Sequence, residues 1–228
     1  YASNLVMLRA WLDAFGIPCG AGRTGDDAGA IRCILMESGA SADAIVTYGG
    51  SWGSERDVIV RLLDAMGWQK LFHRVRMRPG KGAAFGLWEG KPIFCLPGGP
   101  TSCEIAFLQL ALPGILRMAG SSDPPFALLL ARLTRSLKER REDWTHFVHA
   151  RLSMDEQAGL LAIPYSPASR LFSMAEATCL ITIPEGKKNI EQGETIQVQL
   201  IAPATEALEN SAKRDGRTND AINSSSAC

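Results

Sequence analysis

The stretch "ADAIVTYGGSWGSERDVIVRLLDAMG", residues 42–67, decides the fold. Its first seven residues have a continuous apolar centre, which reads as a strand buried on both faces. A glycine-rich loop follows, and residues 56–67 then carry the spacing of a helix. Strand, glycine loop and helix in that order form the repeating unit of an open α/β sheet. In such sheets ligands bind in the crevice beyond the carboxyl ends of the strands.

The same alternation runs outward from this stretch. Upstream, "NLVMLRAWLDAFG" (4–16) predicts an amphipathic helix, with Asn4 as N-cap and Gly16 as the stop. "IPCGAG" (17–22) reads as a short apolar strand, and "DDAGAIRCILMESG" (26–39) as a helix opened by Asp26 or Asp27. Downstream, "KLFHRVRMR" (70–78) alternates as a strand, which puts Arg74, Arg76 and Arg78 on one face. "AAFGLWEGKPIFCLP" (83–97) predicts a hairpin turning at "EGK", and "TSCEIAFLQLALPGILRMAG" (101–120) a long helix with Pro113 late in it. Together these predict a doubly wound α/β domain over residues 1–120. After the "SSDPP" linker the pattern changes to short strand-like runs between polar turns, a small all-β domain over residues 124–203. The polar, Ser/Asn-rich residues 204–228 read as a disordered tail.

Composition narrows the function. Of 228 residues, 46% are hydrophobic and 21% charged, and the formal net charge is zero. No global basic field exists to draw in nucleic acid or an anionic membrane. No apolar run reaches the roughly 18 residues a membrane span needs. No signal peptide precedes Tyr1, and an opening without Met suggests part of a longer chain. Six Cys without CxxC spacing fit free thiols in a reducing cytoplasm better than a disulfide framework or a zinc site.

Two stretches carry candidate chemistry. In "TYGGSWGSERD" (47–57), Gly49, Gly50 and Gly53 allow backbone N–H groups to approach an anion, and Ser51 and Ser54 can donate hydrogen bonds. A ligand-free βα turn explains the loop equally well, and it matches neither GxGxxG nor GxxxxGK[ST]. Asp57 and Asp26 flank the expected rim, where they either cap helices or hold Mg²⁺ or a polar ring. In "MRPGKGAAFG" (77–86), Pro79 and Gly80 fix a turn that holds Arg78 and Lys81 in place, as an oxyanion site requires. "LPGGPTS" (96–102) ends the next strand, stiffened by Pro97 and Pro100, with Thr101 or Ser102 as the expected N-cap.

These motifs occur in the order found in the MoeA-type molybdopterin molybdenumtransferases, a family also seen as the E domain of gephyrin. "TYGGSWGSERD", "MRPGKGAAFG", "GKPIFCLPGGP" and "SRLFSMAEATCLITIPEG" carry the resemblance, which covers about residues 1–201. The resemblance implies a MogA-like three-layer domain with a parallel sheet, followed by a small β domain. It also implies a reaction. Adenylylated molybdopterin and molybdate are taken up with Mg²⁺, the adenylyl group is hydrolysed, and molybdenum cofactor and AMP are released. In those terms the GG loop and Asp57 hold the pterin–phosphate end, and Asp26 matches an acidic residue of the family. Arg74, Arg78 and Lys81 match basic residues near molybdate and phosphate, and Pro97 and Pro100 shape the adjoining loop. Ser169 matches a serine of the C-terminal domain across a one-residue gap. A homodimer is implied as well.

The sequence departs from the family at "YASN", where Ala2 stands in a usual Asp-Ser-Asn, at "SWGS", and at Gly99, where Asn is usual. The departures motivate a second reading, a non-catalytic carrier, sensor or scaffold that binds molybdopterin or molybdate. The GG loop and "RDV" at 56–58 motivate a third, a molybdopterin adenylyltransferase.

Overall fold

In the computed structural model the chain forms two units, Tyr1–Pro125 and Phe126–Cys228. The structure describes residues 3–25, 27–49, 58–138, 141–155, 157, 159–166 and 170–202.

The first unit begins with α1 (Ser3–Ala14), α2 (Ala28–Ser41), β1 (Ile45–Tyr48) and α3 (Val58–Ala65). It continues with β2 (Gln69–His73), a two-residue extended piece β3 (Met77–Arg78), β4 (Ala84–Trp88) and β5 (Lys91–Leu96). A helical run closes it: α4 (Pro100–Ala106), a π turn over Phe107–Ala111, and α5 (Leu112–Met118). Asp27 opens α2 by accepting a 2.8 Å hydrogen bond from the Ala30 N–H. Gly16 leaves α1 at φ +67°, the left-handed conformation that glycine adopts without a Cβ penalty.

The sheet order is β1-β5-β4-β2. Only β1 and β5 run parallel; β4 is antiparallel to both β5 and β2. The expectation of a parallel sheet is therefore corrected to a mixed one. The cause is the hairpin, since a two-residue turn can join only antiparallel strands. Glu89 and Gly90 form that turn, both at positive φ, which matches the twist of the flanking strands.

Three layers follow from strand alternation. Ile93 and Cys95 of β5 face α2 and α3, packing with Ile31, Leu35, Val60 and Leu63. Phe94 faces the other way and stacks on Phe85 at 4.7 Å. A Cβ on Gly114 would lie 2.9 Å from the Phe94 ring, so α5 lies directly on it. Each such fully buried apolar side chain contributes about 1.5–3 kcal/mol.

Five other expectations are corrected. Residues 17–22 form no strand: Pro18 lacks a donor, and two glycines carry no side chain to pack. The strand expected over 70–78 ends at His73, because Arg74 turns to φ +69°. Arg74, Arg76 and Arg78 thus do not share one strand face. Asn4 lies inside α1 rather than capping it, and Gly99, not Thr101 or Ser102, caps α4. The long helix is interrupted by the π turn, where the Leu112 N–H bonds the Phe107 carbonyl five residues back. That widened turn precedes Pro113, whose missing N–H and bulky ring would disturb a regular α turn.

The second unit is a closed five-stranded barrel. Its strands are β6 (Leu128–Leu133), β8 (Thr145–Asp155), β9 (Gly159–Pro164), β10 (Cys179–Ile183) and β12 (Thr195–Leu200), with the short pair β7 (Leu137–Lys138) and β11 (Asn189–Ile190) beside them. Going round, β8 pairs with β9, β9 with β6, β6 with β12, β12 with β10, and β10 again with β8. Long β8 closes the ring by pairing with β10 over His146–Ala150 and with β9 over Ala150–Asp155. Alternate residues, including Leu133, Leu152, Ile181, Ile183 and Val198, fill the interior. The domain is not all-β: α6 (Arg170–Glu176) sits between β9 and β10. It is fastened by the Tyr165 hydroxyl, which donates to the Glu176 carbonyl at 3.1 Å, and by an edge-on Tyr165–Phe172 contact. The expected tail, residues 204–228, lies outside the described residues.

Candidate functional site

Register brings the candidate residues of the first unit together. Tyr48 at the end of β1 pairs with Leu96 at the end of β5. On the other side of β5, Cys95 pairs with Ala84, the first residue of β4, and Ala84 in turn pairs with His73, the last of β2. Four chain segments therefore leave or enter the sheet along one rim. In order across the sheet they are the Gly49 loop, the Pro97–Pro100 loop, the end of the basic turn at Ala83, and its start at Arg74. Three inter-strand spacings make this rim about 14–15 Å wide.

Gly49, after β1, and the Pro97–Pro100 loop, after β5, are held against each other. The Gly49 N–H donates to the Leu96 carbonyl at 3.1 Å. A Cβ on Gly98 would lie 3.3 Å from the Gly49 Cα, so the backbones touch. The Pro97–Pro100 loop then opens α4, where Gly99 offers no side-chain cap and the Cys103 N–H bonds the Gly99 carbonyl at 2.8 Å.

The basic turn is equally fixed. The Arg74 N–H donates to the Ala83 carbonyl at 2.8 Å, that of Val75 to Lys81 at 3.0 Å, and that of Ala83 to Gly80 at 3.1 Å. The Arg78–Pro79 peptide is cis, and Gly80 takes φ +112°. A Cβ on Gly80 would run into Met77 Cε and reach 3.5 Å from the Ala106 nitrogen. The turn therefore sits against the end of α4, the helix whose beginning the Pro97–Pro100 loop forms. Buried Met77 and Gly80 anchor it, while Arg74, Arg78 and Lys81 are exposed. Exposed cations on a buried, hydrogen-bonded frame suit the reception of an anion.

The chemistry this rim supports is electrostatic. Burial pushes the Cys95 thiol up to about 12, and burial with the Glu104 charge pushes Cys103 up to about 12. Neither sulfur offers a thiolate at neutral pH, so thiol nucleophilic catalysis finds no support here. Below the rim, hydrogen bonds from Trp68 first and then Lys70 lower the Asp64 carboxyl from its usual value, holding it ionised at the base of β2.

The structure thus brings together Gly49, Arg74, Arg78, Lys81, Pro97 and Pro100. Gly50, Ser51, Gly53, Ser54, Asp57 and Asp26 lie outside the described residues, as does Ser169. Sequence reasoning missed Asn4, whose buried carboxamide donates to the Gly98 carbonyl at 2.8 Å. It also missed the packing roles of Gly80 and Gly98. The signal for Gly98 was present in the doubled glycine of "LPGGP", where a close backbone approach demands one.

Comparison with known proteins gives the arrangement its context. The probable molybdopterin binding domain family matches residues 1–117, and the MoeA C-terminal region (domain IV) matches residues 131–201. The chain is similar to the molybdopterin molybdenumtransferase of Bacillus subtilis (strain 168), at 28% identity over 202 residues, 87% of this chain and 46% of that protein. It is also similar to the one from Staphylococcus aureus (strain Mu50), at 25% identity over 201 residues, 87% of this chain and 48% of that protein. Among solved structures it resembles a molybdopterin biosynthesis MoeA protein from Pyrococcus horikosii, with a TM-score of 0.69 and 26% identity. That match covers 86% of this chain and 47% of the other. The chain spans about half the length of the curated relatives it matches. The motifs, the rim and the two successive domain matches agree, and the chain belongs to the MoeA-type molybdopterin-binding family.

Proposed function

We propose that this chain provides the ligand-binding rim of a molybdenum-inserting enzyme. Its substrates are adenylylated molybdopterin and molybdate, and its products are molybdenum cofactor and AMP. One observation carries the reading: the register Tyr48↔Leu96, Cys95↔Ala84 and Ala84↔His73, which sets Gly49, the Pro97–Pro100 loop and a cationic turn side by side. A phosphorylated ligand and a small oxyanion both need fixed donors with little side-chain entropy left to lose, and this rim supplies them.

In this reading the glycine loops receive the phosphate end, and Arg74, Arg78 and Lys81 neutralise molybdate and the phosphoanhydride. Water cleaves the anhydride between the two phosphates, and AMP leaves with one of them. The cations act by offsetting the negative charge that gathers as the bond breaks. Mg²⁺ belongs to the proposal only through Asp26 and Asp57, outside the described residues. Among the described residues no group of three His, Cys, Asp or Glu converges to hold a metal ion. A homodimer and a cytoplasmic setting complete the proposal. Among the described residues no helix is long and apolar enough to cross a membrane. The match to the MoeA C-terminal region over residues 131–201 favours this reading over adenylyl transfer.

Titration calorimetry with adenylylated molybdopterin tests it. Arg78→Ala should weaken binding by about tenfold to a hundredfold, the worth of one hydrogen bond to a charged group. Its thermal unfolding should move little, because Arg78 is exposed. Unchanged affinity would refute the placement of the ligand. Release of AMP on adding molybdate separates an enzyme from a carrier.

A further inference from the structure

Asn4 stands in the first turn of α1 and is only 6% exposed. Its Nδ2 donates to the Gly98 carbonyl at 2.8 Å, across 94 residues of sequence. Its Oδ1 is buried and has no partner among the described residues. A buried carboxamide left half-satisfied costs free energy, so the one bond it makes has a use beyond filling space. That bond holds the middle of the Pro97–Pro100 loop. Gly98 is also the residue whose missing Cβ lets the Gly49 backbone approach. One side chain therefore acts on two strand ends: it pins the carbonyl of Gly98 directly, and Gly98 in turn abuts Gly49.

We infer that Asn4 is a positioning residue, which holds the Pro97–Pro100 loop and, through the Gly98–Gly49 backbone contact, sets how Gly98 and Gly49 meet at the rim that receives the phosphorylated ligand. It touches neither ligand nor reacting atoms. The loop-holding part stands on the geometry alone; the ligand part rests on the function proposed above. Glycine and proline loops have few side chains of their own to hold them, so an outside anchor determines how far their N–H groups are preorganised.

The test uses the whole chain and two readouts. The first needs no ligand: amide hydrogen exchange at Gly49 and Cys103, whose N–H groups bond the Leu96 and Gly99 carbonyls. Asn4→Asp keeps the shape but, when ionised, cannot donate to a carbonyl. Exchange at both amides should accelerate at least tenfold at neutral pH, while the barrel amides of Ile181 and Val198 keep their protection. The second readout is affinity for adenylylated molybdopterin relative to the wild type at each pH. Asn4→Asp should lose about tenfold at neutral pH. It should recover as the pH falls, because a buried carboxyl facing a carbonyl oxygen takes up a proton readily and then donates it. A residue needed only for folding would instead cost protection throughout the first unit in Asn4→Asp, at Leu63 and Ile105 as much as at Gly49 and Cys103.

Gly98→Ala gives an independent arm, leaving Asn4 intact while its methyl meets Gly49 Cα at 3.3 Å. It should weaken the same ligand by a similar factor. Unaltered exchange at Gly49 and Cys103 in Asn4→Asp overturns the inference. So does altered exchange with undiminished affinity, because the loop then moves without consequence for the ligand. If the wild type itself fails to bind adenylylated molybdopterin, the proposed function falls, and the exchange readout alone decides whether Asn4 holds the loops.

Discussion

In the barrel of the second unit the strands form a ring, and the interior is filled by aliphatic side chains such as Leu152, Ile181 and Val198, all nearly inaccessible. In the sheet of the first unit the strands stop together along one rim, and what lies beyond is glycine, proline and exposed cations. Both units have apolar cores of similar chemistry. They differ in where their polar groups are left available. Most of the ladder of the barrel is satisfied by its own closure. The rim has loops with few side chains to occupy their polar groups, held by bonds from outside, as Asn4 holds Gly98. The difference teaches that the binding capacity proposed for the rim would come from how strand ends are arranged and stiffened, separately from core packing.

The comparison can be broken at its strongest point first. Ile181→Ala removes a fully buried side chain from the barrel interior and should cost about 2–5 kcal/mol in denaturant melts. A loss below about 1 kcal/mol would mean the ring encloses no tightly packed core. At the rim, Gly80→Ala should cost about 1–3 kcal/mol, since its methyl meets Met77 Cε and the residue must hold φ +112°. Unlike the barrel change, it should also weaken ligand binding in the fraction that remains folded, because Arg78 and Lys81 flank it. Equal affinity in wild type and variant would remove the basic turn from the site. The smallest effect tests a turn away from the rim. Glu89→Asn, at φ +50° in the hairpin, should stabilise by roughly 0.5 kcal/mol with no change in affinity, because Asn tolerates that conformation better.

Much of this was legible in the sequence where a periodic pattern coincided with a partner. The hairpin over 83–97 could be read because apolar runs flank a turn that needs positive φ. The helices could be read because Gly16 and Asp27 mark an end and a beginning. What failed has physical causes. The same hairpin that the sequence announces excludes a wholly parallel sheet, because its two strands must run antiparallel. The alternation of Arg74, Arg76 and Arg78 mimics a strand, but the chain turns at Arg74, which no periodicity reveals. "IPCGAG" has an apolar start but no neighbour to pair with among the described residues. Asn4 looks like a cap in sequence because caps and buried anchors use the same residue; only the position of Gly98 distinguishes them. The acidic pair Asp26 and Asp57, with the serines of the glycine loop, was equally legible as a motif and lies outside the described residues.

Closure of the barrel also bears on how this half of the chain behaves in a crowded solution. An open sheet offers a row of vacant donors and acceptors on which a neighbouring molecule can build, the first step toward fibrils. A ring in which β8 bonds β10 over one half of its length and β9 over the other leaves much less of such a template. Protection of this kind lasts only while the ring is shut. Conditions that part β8 from β10 would bare the facing edges of both strands, and with them the template that closure withholds.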